Sequence, residues 1–260
     1  MSALVLLQWS GFGGFGYFLP PGDPLFTLWL PLAAFAFALA MQARVQGAFK
    51  RYSRVPTQSG MSGAEVAELL LKARGIDDVR VEAARGFLTD HYDPTSKTLR
   101  LSEPVYAGRS VAALGIAAHE TGHALQHADA YVWLGLRSKM VPAVSVLSRM
   151  GTLLLPIGLL LSCFVRSSFG VTLLYGAAVG LAGVVVFSLV TLPVEIDASR
   201  RAMRLLGNAG VLVGDEITGA RKVLGAAAWT YVASAAAAIV ELLKILAIIA
   251  ASGGRQRSSR

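Results

Sequence analysis

The chain has 260 residues, of which 54% are apolar and 15% charged, and 24 Lys and Arg against 16 Asp and Glu leave it at +8. A soluble domain carries about 25% charge and about 45–50% apolar residues; this composition, with a mean hydropathy of +0.56, excludes a soluble globule, and equally a disordered chain, which is poor in apolar side chains. A single cysteine, Cys163, lying in an apolar run, excludes a disulfide scaffold, so the class that remains is an integral membrane protein, whose basic excess reflects charges flanking the membrane rather than nucleic-acid binding.

In chain order, residues 1–23 are apolar but hold Gly11, Gly13, Gly14 and Gly16 and reach Pro20-Pro21. Lacking a basic start and a small-residue cleavage site, they read as an external or interfacial segment rather than a signal peptide. No charge lies between Asp23 and Arg44. Twenty residues at 1.5 Å each span about 30 Å, so 24–43 predicts a first transmembrane helix. Arg44, Lys50, Arg51 and Arg54 follow it and no Lys or Arg precedes it, which places residue 44 onward in the cytoplasm.

The stretch 44–149 reads as a small α+β cytosolic domain. Ser62-Gly63-Ala64-Glu65 has capping-box spacing, and Val66, Leu69 and Leu70 continue at helical period as far as Gly75. Val79 and Val81 alternate with charged neighbours, GFLTDHY leads into the turn Asp93-Pro94-Thr95-Ser96, and Lys97-Thr98-Leu99-Arg100-Leu101 alternates again. These predict a small hairpin with one face buried. From Ser110 to Ala128 the run VAALGIAAHETGHALQHA predicts a buried helix. Residues 150–194 carry no charge but Arg166. They predict a transmembrane hairpin that turns outside, with a first arm that is short unless it starts before Arg149. Residues 195–222, with Arg200, Arg201, Arg204, Arg221 and Lys222, return to the cytoplasm. The run 223–251 predicts a fourth span despite Glu241 and Lys244, and 252–260 a disordered basic tail.

His119-Glu120-Thr121-Gly122-His123 is an H-E-x-x-H on the predicted helix. Histidines four apart share a helix face and reach one metal ion, and the glutamate sits where it takes a proton from a water on that ion. Zinc catalysis needs a third protein ligand and an open position. His127 lies about 12 Å along the helix from His119, too far for bonds of about 2.0–2.1 Å to one ion. Ala124-Leu125-Gln126 offers no glycine turn of the metzincin kind to bring it back. Glu195, the first charge after the second hairpin arm, is the candidate third ligand; an interfacial charge ending a helix is the alternative. His91 is a candidate to stabilise a developing oxyanion, or else a hairpin residue bonded to Asp90 or Asp93. Arg200 and Arg201 are candidate oxyanion donors or positive-inside anchors.

HETGHALQHA, the upstream LTDHYDPTSKTLRLS with GRSVAALGIAAHE, and the downstream TLPVEIDASRRA together resemble the YugP-type membrane zinc metallopeptidases, over roughly residues 45–245. The H-E-x-x-H core is shared by many zincins, whereas the LTDHYDP and LPVE blocks are far more specific. The resemblance implies a multi-pass membrane zinc protease with ligands at His119, His123 and Glu195 and the base at Glu120. More distantly the chain is similar to HtpX- and Ste24-type peptidases, whose site faces the cytosol beside the membrane. In that pattern an acidic residue often stands four places after the ligand glutamate and orients a histidine. This chain has Ser199 at that place and Asp197 two places after Glu195.

The expectation is a mainly α, multi-pass membrane protein of about four transmembrane helices, with a small α+β cytosolic zincin-like domain carrying H-E-x-x-H on a helix. Its expected function is that of a gluzincin-like, zinc-dependent endopeptidase of the cell membrane, cutting peptide bonds at the cytosolic interface. Polypeptides, membrane-protein segments in particular, are the expected substrates, as in membrane-protein quality control; the bilayer surrounds the chain and nucleic acid is no partner. Strand 97–102 is a candidate to hold an extended peptide by β-augmentation, and His127 a packing or second-sphere histidine. The alternative is a non-enzymatic membrane subunit whose metal is structural and which recruits protein partners. The retained Glu120 separates the two, since a structural zinc site needs no base.

Overall fold

A computed structural model describes residues 23–257 except Leu88 and Arg166. The expected N-terminal segment 1–23 therefore lies, apart from Asp23, outside the described residues. In chain order the elements are a π-helical turn Leu25–Trp29, α1 (Leu30–Tyr52), α2 (Gly63–Ala73), β1 (Arg80–Ala84), β2 (His91–Asp93), β3 (Thr98–Ser102), α3 (Glu103–Tyr106), α4 (Val111–Ala128), α5 (Val132–Cys163), α6 (Ser168–Asn208) and α7 (Asp215–Arg257). The chain is mainly helical. The π-helical turn with α1, and then α5, α6 and α7, form four helices long and apolar enough to cross a membrane.

Helix ends differ from the predicted spans in one direction: the helices run on. Helix α1 passes residue 43 to reach Tyr52, and α5 begins at Val132, so the domain boundary expected at 149 falls inside a helix. Helix α6 continues through 194 to Asn208, and α7 takes in part of 195–222 and continues to Arg257. The tail expected to be disordered from 252 is thus helical as far as Arg257, and 258–260 lie outside the described residues. The physical reason is common to all. A change from apolar to charged side chains alters what a helix faces but does not interrupt its i→i−4 hydrogen-bond ladder. Pro142 and Pro156 lie inside α5, each removing one N–H, which spanning helices tolerate.

The chain divides into two compact units, one of Met41–Leu136 with Thr191–Thr230, the other of Arg137–Val190 with 23–40 and 231–257. In the second, Leu155, Leu174, Ala177, Ile245 and Ile248 form the core. Leu153, Ile157, Leu160, Val179 and Val186 remain exposed, an apolar outer surface suited to lipid rather than water.

The first unit holds the sheet. Ser62 caps α2: its hydroxyl accepts from Glu65 N at 3.2 Å and its own N donates to the Glu65 carboxylate at 2.6 Å, the reciprocal box that satisfies two orphan donors. That hydrogen bond from the Ser62 backbone holds the Glu65 carboxyl below its usual range. Past the C-cap, Gly75 takes φ +65°, where a side chain would be strained. The sheet order is β1-β3-β2, with β1 parallel and β2 antiparallel to β3. The hairpin 91–102 forms as expected, but the single buried face does not. Strand β3 is central, so Thr98 and Ser102 are buried along with Leu99 and Leu101. Asp90 makes this tolerable: its carboxylate accepts from Ser102 N at 2.8 Å and from the Ser102 hydroxyl at 2.9 Å. Being central also leaves β3 no free edge for an added strand; β2 is the edge on that side.

Helix α4 lies in the middle of this unit. Ser110 caps it by accepting from Ala113 N at 3.3 Å. One part of α4 (Val111, Leu114, Ala118) packs with Val66, Leu70, Leu206 and Leu212, and another (Ala112, Ala117) with Leu99, Leu101, Val105 and Val223. Each fully buried Leu or Val is worth about 1.5–3 kcal/mol of transfer from water, so α4 is anchored on both sides before any polar contact is counted.

Candidate metal centre

The site forms where α4 meets α6. Gly122 makes the meeting close: a Cβ there would stand 2.6 Å from the Ala198 carbonyl oxygen. His119 and His123, one turn apart on α4, face Glu195 on α6. The Nε2 of His119 lies 3.3 Å and that of His123 3.6 Å from Glu195 Oε2, and the ligand atoms of all three residues fall within 4.8 Å of one another. The two rings stand edge to face, 83° apart with centroids at 4.9 Å. Glu195 is 1% exposed and His123 4%.

Each imidazole is held by its far nitrogen. His123 Nδ1 is 3.0 Å from Gln126 Oε1, and the amide nitrogen of Gln126 donates to Val194 O at 2.8 Å and to Asp197 Oδ2 at 2.9 Å. Because Nδ1–H must donate to an amide oxygen, Nε2 of His123 is left with its lone pair. Among the described residues that buried Nε2 has no hydrogen-bond partner, an expensive state unless something electron-poor accepts the lone pair. His119 Nδ1 is 3.1 Å from the Ser199 hydroxyl, a neutral partner four places after Glu195. Asp197 is further tied to Arg201 at 2.6 Å, and Arg201 to Asp129. Two imidazole nitrogens and one carboxylate oxygen are the donor set of a zinc site that keeps a coordination position open.

Glu120 lies buried beside the three. Its Oε2 accepts from Tyr92 N of β2 at 3.1 Å. Burial pushes its carboxyl up to about 7; His119 acts against the rise and Glu195 adds to it. The Tyr92 hydroxyl is 2.8 Å from His127 Nδ1, so His127 is engaged away from the three ligand atoms. His91 is bonded through Nδ1 to Thr89 O at 2.7 Å rather than to the Asp90 or Asp93 carboxylates, and Arg200 is exposed. Gln126 and Tyr92 escaped the sequence reading. Gln126 stands three residues after His123, one turn along the same face, a signal that was available. The Tyr92 contact is a backbone N–H, which no side-chain pattern reveals.

Residues 27–250 match the family described as "putative neutral zinc metallopeptidase". A protein named "Putative membrane protease YugP" from Bacillus subtilis (strain 168) is 44% identical over 221 residues, 85% of this chain and 95% of that one. No solved structure matches the chain. The chain belongs to this family of zinc metallopeptidases, and zinc is the metal that its cluster of two imidazoles and a carboxylate is suited to hold.

Proposed function

We propose that this protein is a membrane-integrated endopeptidase with a zincin-like domain of the H-E-x-x-H-plus-glutamate kind, in which His119, His123 and Glu195 hold zinc and Glu120 is the proton carrier. The observation that carries the reading is the meeting of two imidazoles from α4 with a buried carboxylate 76 residues from His119, next to a second buried carboxylate that is no part of that set. A zinc ion held there supplies Lewis acidity toward a peptide carbonyl. Glu120, with a carboxyl poised near neutrality, accepts a proton from water and returns it to the leaving amine. Tyr92 N fixes one of its oxygens, Gln126 and Ser199 fix the imidazole rings, and Gly122 fixes the separation of the helices that carry them. Strand β2, at the sheet's edge and bonded to Glu120, takes the place expected of 97–102 as the backbone along which an extended polypeptide lies. The Lys and Arg that follow the first span and the hairpin support a site on the cytoplasmic face, where loops and exposed segments of membrane proteins are the substrates, as in quality control.

The test compares zinc content and casein-type peptide cleavage in purified wild type and Glu120→Gln. Zinc is expected to be equal and hydrolysis to fall on the order of 10²–10⁴-fold. A variant that cleaves at the wild-type rate removes Glu120 from the chemistry. A wild type that binds zinc yet cleaves nothing in a broad peptide library favours a metal-bearing scaffold that recruits partners.

A further inference from the structure

A groove between the C-terminal end of α1 and the first turns of α7 plays no part in the metal centre. Both stretches belong to the unit that holds the sheet, and the groove encloses about 550 Å³. On the α1 side Arg44, Gly47 and Arg51 share one helical face; on the α7 side Arg221, Lys222, Gly225 and Trp229 do the same. Glycines set its shape. Where the helices touch, a Cβ on Gly219 would come within 2.8 Å of the Tyr52 ring. At Gly47 and Gly225 a Cβ would meet nothing within 4 Å, so the helices stand apart there and the space between them is open.

Four cations gather at this opening without a carboxylate. Among the described residues no acidic side chain lines it, and none of Arg44, Arg51, Arg221 and Lys222 forms an ion pair. Gathered like charges repel one another, a cost that a bound anion offsets. Both helices also pass from these cations directly into uncharged runs, residues 25–43 before Arg44 and 223–240 after Lys222. Trp229, 47% exposed, has the amphipathic ring typical of a membrane–water interface. An anion with an apolar tail satisfies all three observations, and a free inorganic anion satisfies only the first.

We propose that this groove binds the headgroup of an anionic phospholipid, its phosphodiester shared by the cations of α1 and α7. The full-length protein in zwitterionic detergent, titrated with phosphatidylglycerol or phosphatidylcholine and read by native mass spectrometry, tests it, with zinc content as the check on folding. Wild type is expected to retain one phosphatidylglycerol on the order of tenfold better than phosphatidylcholine, and Arg44→Gln/Arg51→Gln or Arg221→Gln/Lys222→Gln to lose that preference. Gly225→Leu keeps every charge and replaces a poor helix former by a good one, yet fills the groove, and is expected to lose the preference as well; Gly47→Leu repeats the test from the other wall. Loss in the charge variants with full retention in both leucine variants would show diffuse attraction to a basic surface and overturn the site. Displacement of phosphatidylglycerol by millimolar inorganic phosphate would make it a free-phosphate site, and equal retention of the two lipids would remove the proposal.

Discussion

Gly122 and Ala198 touch backbone to backbone: the position a Cβ would take on Gly122 is 2.6 Å from the Ala198 carbonyl oxygen and 3.2 Å from its carbonyl carbon. The helix that carries both histidines and the helix that carries Glu195 approach too closely here for any side chain at 122, and the third ligand candidate reaches the other two because of it.

Gly122→Ala is therefore expected to weaken zinc binding and to lower stability by about 1–3 kcal/mol, the cost of overpacking against atoms that cannot move aside, although alanine is the better helix former. Gly135→Ala, where a Cβ meets nothing within 4 Å, is expected to leave both unchanged or improve stability. Thermal unfolding and chelator competition on the two variants measure the contrast.

Glu195→Ala and His123→Ala are expected to lose zinc and activity together, since two remaining donors bind zinc poorly. His127→Ala keeps its metal, because His127 is bonded to the Tyr92 hydroxyl at 2.8 Å. Elemental analysis of the purified variants decides. Metal lost from His127→Ala and retained in Glu195→Ala would overturn the ligand assignment.

Gln126 accepts from His123 within α4 and connects α4 to α6 through two hydrogen bonds, donating to Val194 and Asp197. Gln126→Ala is expected to reduce zinc affinity about 10–100-fold. Gln126→Glu should be no better, although nearly isosteric, because a carboxylate has no proton for the Val194 carbonyl and stands against the Asp197 carboxylate. Zinc dissociation constants by competition provide the readout; a Gln126→Glu protein with wild-type affinity would refute this role.

Asp93 accepts from the Ser96 hydroxyl at 2.6 Å and from Thr95 N at 2.9 Å, and the Ser96 bond, with lesser help from Thr95 and Arg100, brings its carboxyl down to about 2. A folded-state value below the unfolded one adds stability above the unfolded pKa, near 4, that disappears as pH falls through the folded one. The melting temperature of wild type is thus expected to exceed that of Asp93→Asn at neutral pH, with the gap closing between about pH 4 and pH 2. A gap that stays constant over that window would remove the ionised Asp93 from the account.

Orientation is tested with single cysteines in a Cys163→Ser background. Cysteines at Lys50, Arg85 and Asn208 are expected to be shielded from an impermeant thiol reagent in intact cells, and one at Ser168 labelled. Labelling at Arg85 from outside would move the proposed active site to the other face of the membrane.

Local grammar carried much of the legible structure. The Ser62–Glu65 box, the Gly75 stop, the Ser110 cap and the helix under HETGH are all statements about residues within a few positions of one another. The gathering of His119, His123 and Glu195 was legible too, because H-E-x-x-H has an incomplete donor set and Glu195 is the first charge after the second hairpin arm. What stayed hidden depends on long-range pairing or on neutral groups. Nothing near Val81 announces a parallel pairing with Leu99, so Thr98 and Ser102 looked like a solvent face. Arg137, Lys139 and Arg149 interrupt the apolar pattern of 132–149, so the start of α5 at Val132 was not legible from hydropathy. Gln126 and Ser199 hold the histidines without carrying charge, and a neutral side chain leaves no mark in a pattern of charges.

Helix α6 runs unbroken for 41 residues, about 60 Å at 1.5 Å per residue, and so one rod contains both the uncharged stretch 168–194 and Glu195. With side-chain ends about 5–6 Å from the axis, a turn of about 20° carries the carboxylate about 2 Å, the length of a metal–oxygen bond. Pro193, two residues before Glu195, lacks the N–H that would close one bond of the ladder there. On the far side of Pro193, Gln126 bonded to Val194 O and Asp197, and Gly122 against the Ala198 carbonyl, clamp α6 on both sides of Glu195, so the angle at which its carboxylate meets the two imidazoles is set by contacts local to the unit that holds the sheet.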